Sequence, residues 1–164
     1  MADDFDFIDR FGSVFLDSFF VVDRERRICK FNPAFAEMLG IRIAERRRIN
    51  GKRCFELVEM DICRNNCIAL QCLAKNGPVR MEEIRGKAPD GRELVLELSA
   101  MPVSGPQGQV TGVFVTHRDV TDERNLMTRY MGEQKENKSK VDALLKILQE
   151  REKELEGLRK KGRG

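Results

Sequence analysis

The chain has 164 residues, and its 30 Lys and Arg against 27 Asp and Glu give a formal net charge of +3 at pH 7. Charges this evenly mixed argue against the polycationic surface of a nucleic-acid-binding protein. The hydrophobic fraction of 41% is enough for one core, whereas the charged fraction of 35% indicates that part of the chain is a solvated helix. We therefore expect one domain with an extension.

The start of the chain, MADDFDFIDRF, has neither the basic segment nor the continuous apolar run of a secretory signal. No window approaches the roughly 18 apolar residues that cross a membrane. We expect a cytoplasmic protein without membrane contact. In that compartment thiols are reduced, and clustered cysteines indicate metal or redox chemistry more often than structural disulfides.

Three elements are predicted before residue 40. Residues 1–17 predict an N-terminal helix, a cap or a dimerisation element, because apolar residues follow helical spacing and acidic residues precede them. Two short apolar runs, residues 18–22 and 27–31, flank a charged turn and predict a β-hairpin. The Asn-Pro pair at 32–33 is a helix start signal, and Gly40 marks the end of that short helix.

The stretch from residue 51 to residue 72 contains most of the cysteines. They are Cys54, Cys63, Cys67 and Cys72, in the spacing C-x8-C-x3-C-x4-C. Cysteines this dense ligate a soft metal or an iron–sulfur cluster, interconvert with a disulfide, or pack as small buried hydrophobes. No C-x2-C pair is present, so zinc ranks behind a cluster or a redox pair. A helix through this stretch would bring Cys63 and Cys67 to one face, and Cys29, on a strand, is predicted to lie in the core.

After residue 79 the pattern changes to β-strands. The residues that alternate on one face are Leu94, Leu96, Leu98 and Ala100. An Asp-Gly pair at 90–91 predicts a hairpin, and a second turn at 104–108 leads into a strand that ends near His117. His117, the only histidine, is predicted to share a face with Val113 and Val115. There it would complete a metal or cluster site, hold haem, or simply be hydrogen-bonded.

Three segments in this order resemble a PAS sensor domain, over roughly residues 14 to 121. They are FFVVDRERRICKFNPAFAEMLG, the paired-strand segment APDGRELVLELSAMPVSGPQGQVTGVFVTHRDVT, and its final Asp119-Val120-Thr121, which matches the D-[IV]-T motif before an output helix. The resemblance implies an α+β fold over residues 18–121, with a five-stranded antiparallel sheet, short flanking helices and a pocket. The fold does not determine the ligand.

Two narrower patterns concern the cysteines. Residues 51–58, GKRCFELV, lie where light-sensing flavin domains of the family have G-x-N-C-x-x-L-Q, but Arg53 and Val58 replace the Asn and Gln. The resemblance therefore argues against flavin photochemistry and places Cys54 beside the pocket. The G-K-x-C segment followed by Cys63-x3-Cys67 resembles PAS domains of bacterial regulators and kinases, and suggests redox, metal or iron–sulfur sensing.

For an iron–sulfur cluster, the candidate ligands converge from a helix-loop-helix. They are Cys54, Cys63 and Cys67, with Cys72, Cys29 or His117 as the fourth. A thiol–disulfide switch and inert, buried cysteines remain open as alternatives.

Residues 122–164 predict a long polar helix with a coiled-coil seam. Its a and d positions hold Val141, Leu144, Leu148, Leu155 and Leu158, with Arg151 at an intervening d position. Neither kinase glycines nor a P-loop is present, so no enzymatic activity is expected. The sequence thus predicts a homodimeric redox or oxygen sensor that signals to a kinase or transcriptional regulator, in cis or in trans. A cofactor-free interaction adaptor is the alternative from another class.

Overall fold

The computed structural model describes residues 12–161 of the chain. This chain divides into two compact units, with the boundary after Thr121. The first unit contains a β-sheet and short helices, and the second is one long helix. Within residues 12–161, no helix combines the length and the apolar character needed to cross a membrane.

Six strands form one antiparallel sheet. They are β1 (Ser18–Asp23), β2 (Ile28–Phe31), β3 (Glu59–Met60), β4 (Val79–Lys87), β5 (Glu93–Ser104) and β6 (Val110–Asp119), in the order β2-β1-β6-β5-β4-β3. The sheet confirms the predicted α+β class, but it has one strand more than the five expected. The additional strand is the two-residue β3, which pairs with Gly86 and Lys87 of β4.

Three of the four α-helices lie between strands in sequence, and the fourth follows β6. They are α1 (Pro33–Met38), α2 (Cys54–Leu57), α3 (Ile68–Lys75) and α4 (Thr121–Lys161), with 3-10 helices at Ile43–Arg48 and Asp61–Cys63. Gly40, with φ of +67°, follows α1, and Asn76, with φ of +47°, ends α3 in the left-handed region. The predicted stop at Gly40 is therefore confirmed.

The core contains the alternating residues of β5 and β6. The predicted apolar face of β5 is buried, and so are Val113, Val115 and His117 on β6. Phe35 of α1 and Ala69 of α3 are buried in the same core. Burying side chains of this size stabilises a fold by about 1.5–3 kcal/mol each, so the period-two pattern determines which face of the sheet the helices cover.

The prediction of a helix over residues 1–17 lies largely outside the described residues. Its described part, residues 12–17, forms a turn and a bend, so the prediction is wrong for those positions. Two kinds of contact hold this segment against the sheet. Asn32 donates hydrogen bonds to the carbonyl oxygens of Phe15 and Asp17, and the Phe15 ring packs edge-on against Phe19 of β1.

A set of hydrogen bonds joins the end of β6 and the start of α4 to β5. The Asp119 carboxylate accepts a hydrogen bond from the backbone N–H of Thr121 at 2.9 Å. The Thr121 hydroxyl accepts one from the N–H of Val95 on β5, and the N–H of Val120 donates to the Val95 carbonyl oxygen, both at 2.9 Å. The D-V-T motif therefore ties the first residue of α4 to a central strand.

The side chain of Asn32 connects three segments of the first unit. Its Oδ1 accepts hydrogen bonds from the backbone N–H groups of Phe19 and Phe35, at 2.9 and 3.0 Å, and its Nδ2 donates to the Asp17 carbonyl oxygen at 2.9 Å. Asn32 is buried, so water cannot replace these bonds in a variant that lacks them.

We expect Asn32→Ala to lower the free energy of unfolding by about 2–4 kcal/mol, because it removes a helix cap and leaves the buried N–H of Phe19 without its acceptor. Urea denaturation followed by circular dichroism measures the loss. Asn50→Ala is the matched control at an exposed position, with an expected change within about 0.5 kcal/mol. Equal stabilities of the two variants would contradict the role assigned to Asn32.

A cysteine-lined cavity as candidate functional site

A small cavity of about 30 Å³ lies between the cysteine-rich segment and the sheet. Its polar lining consists of the thiols of Cys54, Cys63 and Cys67 and the imidazole of His117, and the other lining side chains are apolar. Three of the four predicted cysteine ligands thus meet the predicted histidine at one cavity, and Cys54 lies beside the pocket as expected. Such a volume holds about two water molecules, not a flavin ring system.

The three cysteines come from three short elements. Cys54 is the first residue of α2, Cys63 ends a 3-10 helix, and Cys67 is the N-cap residue of α3. The expectation that one helix carries Cys63 and Cys67 is therefore wrong. The turn-forming pair at 65–66 breaks the helix between them, because Asn side chains compete with the backbone for helical hydrogen bonds. A helix-loop-helix nevertheless brings both to the cavity.

The remaining two cysteines lie elsewhere. Cys72 is fully buried in α3 among the core side chains and does not line the cavity. Cys29 is exposed on β2, which corrects the expectation that it lies in the core, because its neighbour Ile28 takes the buried face of that strand. Neither thiol is brought to the other three in this structure.

The cavity favours the protonated form of Cys54 and Cys63. Burial is the largest cause that raises the pKa of Cys54 to about 12, and the nearby thiols of Cys67 and Cys63 contribute to the same rise. Burial also raises the pKa of Cys63, against a lowering by the backbone N–H of Met60. The thiols of Cys54, Cys63 and Cys67 are therefore close enough to influence one another electrostatically.

His117 is the most unusual polar group of the site. It is 1% exposed, and neither Nδ1 nor Nε2 has a hydrogen-bond partner among the described residues. Its ring packs against Phe20 and Phe35, with centroid distances of 4.8 and 5.8 Å. Burial lowers the pKa of His117 to about 3, so the imidazole is neutral and has a lone pair to offer.

An open groove of about 520 Å³ lies on the outer side of the same segment. Arg26 covers the Phe55 ring there, with its guanidinium carbon 4.6 Å from the ring centroid, and Arg64 is at the same groove. Met60 and Cys63 line both the groove and the inner cavity. Of the three cavity thiols, Cys63 is therefore the one that also borders the groove.

The sequence predicted the polar residues of the cavity but not the contact between Arg26 and Phe55 at the neighbouring groove. Arg26 lies in a turn distant in sequence, and its contact with Phe55 follows from an isolated bridge between Arg27 and Arg53. Within residues 12–161, no group of three or more His, Cys, Asp or Glu side chains is already arranged to hold a metal ion. The four-cysteine ligand set therefore stays a prediction, with Cys72 outside the cavity.

We expect the stability of the metal-free protein to fall as the pH falls below about 6.5, because the unfolded chain then binds a proton at His117 that the folded chain excludes down to a pH of about 3. The groups facing the imidazole are thiols and apolar side chains, which stay uncharged in this range. The slope is about 1.4 kcal/mol per pH unit.

Urea denaturation in chelator between pH 7 and pH 4 measures this effect, with His117→Phe as the control that keeps the ring packing. Wild type is expected to lose about 3 kcal/mol more than the variant over this interval. Parallel curves for the two proteins would show that His117 is not excluded from protonation in the folded state.

Comparison with known proteins identifies the fold of the first unit. A profile for the family described as PAS fold matches residues 15–125. Searches of curated proteins gave no match. Among solved structures, the PAS domain of nitrogen regulation protein NR(II) from Vibrio parahaemolyticus is 18% identical, with a TM-score of 0.54 over 67% of this chain and 94% of its own.

Two further structures are similar in the same region. A PAS domain from Colwellia psychrerythraea is 20% identical, with a TM-score of 0.58 over 70% of this chain and 94% of its own. The Rhodobacter sphaeroides LOV protein is 17% identical, with a TM-score of 0.60 over 74% of this chain and 69% of its own. Identities this low show the fold alone, whereas the profile match covers more than half of the chain. The protein belongs to the PAS fold family.

Proposed function

We propose that this protein is a non-catalytic, cytoplasmic sensor module that reads redox state or oxygen through a cysteine-ligated cofactor and transmits the signal through α4. The observation that carries the proposal is the convergence of Cys54, Cys63 and Cys67 on one apolar cavity. The three thiols belong to three separate short elements, so their approach to one cavity results from tertiary packing and not from the structure of a single element.

The favoured cofactor is an iron–sulfur cluster, which when bound would supply reversible one-electron chemistry and sensitivity to oxygen. Soft thiolate donors and an apolar wall are the surroundings that such a cluster prefers. Cys54, Cys63 and Cys67 would hold it. The cavity is small, at about 30 Å³, so a centre larger than a single ion would have to displace the segment that carries the thiols.

A thiol–disulfide switch is the second candidate, and the mutual influence of the same thiols supports it. Oxidation would join two of them, release two protons and pass two electrons to an oxidant such as a peroxide. The high pKa of Cys54 opposes this reaction in the resting state, because the thiolate is the nucleophile. Cys63, which borders the solvent-filled groove, is then the first thiol to react.

We assign the transmission of the signal to α4. This helix has 41 residues, and the apolar side chains of its heptad seam, among them Leu144 and Leu148, are more than half exposed in the single chain. A seam of this length is stable when it packs against a second copy, which makes a homodimeric coiled coil. A kinase or transcriptional regulator, in cis or in trans, would receive the signal from it.

We expect protein purified without oxygen to be brown and to contain iron and acid-labile sulfide in equal amounts, roughly four of each per chain. Replacing Cys54, Cys63 and Cys67 by Ser removes both, whereas Cys29→Ser, at an exposed position, keeps them. Absorption spectroscopy with iron and sulfide assays measures the content. A colourless, iron-free protein would exclude the cluster, and the loss of two free thiols on mild peroxide treatment would then support the switch.

The coiled coil makes a separate prediction. Leu144→Lys with Leu148→Lys is expected to raise the dimer dissociation constant at least ~100-fold, because each lost leucine removes about 1.5–3 kcal/mol of burial. Ala143→Lys with Gln149→Lys adds the same charge outside the seam and should leave the dimer intact. Sedimentation equilibrium measures both, and a monomeric wild type, or dimers that persist in the seam variant, would contradict the assignment.

A further inference from the structure

The buried imidazole of His117 has no hydrogen-bond partner among the described residues. Buried polar groups in folded proteins are nearly always hydrogen-bonded, and leaving one without a partner costs about 1–3 kcal/mol. Both ring nitrogens of His117 lack a partner among the described residues, and the side chain lines the cysteine cavity. The rings of Phe20 and Phe35 hold the imidazole there.

The histidine and the three thiols approach the cavity from different sides. His117 belongs to β6, the centre of the sheet, whereas Cys54, Cys63 and Cys67 belong to the segment that covers it. Ligands from two opposing walls can surround a metal. We propose that His117 is the fourth ligand, completing a Cys54–Cys63–Cys67–His117 site for a thiophilic metal centre, an assignment that rests on the cysteine-ligated cofactor proposed above.

The alternative fourth ligands are less well placed. Cys72 is buried in the core away from the cavity lining, and Cys29 is exposed on β2. The described residues that line the cavity include no carboxylate. His117 is therefore the one remaining side chain at the cavity with a nitrogen or oxygen donor, and it is already buried there without a competing hydrogen bond.

Charge also favours the histidine. Around a divalent metal, three thiolates and a neutral imidazole leave one net negative charge, whereas four thiolates leave two. The walls are apolar, and the cost of burying charge in apolar surroundings rises steeply with its magnitude. A mixed ligand set is thus easier to accommodate in this cavity. No three such donors stand in a metal-holding arrangement among the described residues, so metal binding requires the cysteine side chains to move.

Binding of Co²⁺ to the metal-free protein without oxygen tests the ligand set, because tetrahedral cobalt has visible bands and thiolate charge-transfer intensity that report the number of thiolates. We expect one Co²⁺ per chain with a three-thiolate spectrum. His117→Phe should weaken binding by ~100-fold or more, since loss of an outer partner of a ligand alone costs roughly 10–100-fold. His117→Cys should restore binding with the intensity of a fourth thiolate, which a structural role of His117 would not produce.

Cys72→Ala is the matched control and should bind Co²⁺ as wild type does. Thermal unfolding in chelator verifies that each variant folds. Unchanged affinity and spectrum in His117→Phe, or weakened binding in Cys72→Ala, would overturn the assignment of the fourth ligand. Absence of Co²⁺ binding by folded wild type would overturn the whole site.

Reconstitution with iron and sulfide distinguishes the two kinds of metal centre. Incorporation of sulfide with iron in wild type, lost in His117→Phe and regained in His117→Cys, would identify a cluster with one histidine ligand. Binding of a single ion with no sulfide would identify a mononuclear centre with the same ligands. If the centre forms but its spectrum does not change with oxygen or reductant, the ligand set stands and the proposed redox function fails.

Discussion

The site depends on the removal of water from polar side chains. His117 and Cys54 are enclosed by apolar groups, and this burial shifts both pKa values toward the uncharged form, to about 3 and about 12. A neutral Cys54 thiol and a neutral His117 imidazole can share a cavity without charge repulsion. Neither imidazole nitrogen has a hydrogen-bond partner among the described residues, and the ring is packed against Phe20 and Phe35.

The sheet register determines which side chains meet. β6 lies between β1 and β5, and His117 pairs with Ser18 on one side and Leu98 on the other. Gly112 permits the close approach of β6 to β1, because a Cβ atom at this position would overlap the carbonyl oxygen of Val22. A shift of one residue in this register would turn His117 to the opposite face of the sheet and remove it from the cavity.

Elements whose signals are local were predictable from the sequence. The cap at Asn32, the stop at Gly40 and the period-two face that includes His117 depend on neighbouring residues and are confirmed. The placement of the cysteines was only partly predictable. A helical spacing between Cys63 and Cys67 was interrupted by turn-forming residues, and the orientation of Cys72 depends on which face of α3 the sheet covers. Such contacts arise from tertiary packing, which periodicity does not encode.

Strands β5 and β6 connect the cavity to the beginning of α4. Leu98 of β5 lines the cavity and pairs with His117, and Leu96, two residues earlier, pairs with Asp119. The neighbouring Val95 is bonded to Val120 and Thr121. His117 and the hydrogen bonds at the first residue of α4 therefore share one short segment of the β5–β6 pair. The register of this pair determines both the face on which His117 lies and the point at which Val95 meets the start of the helix.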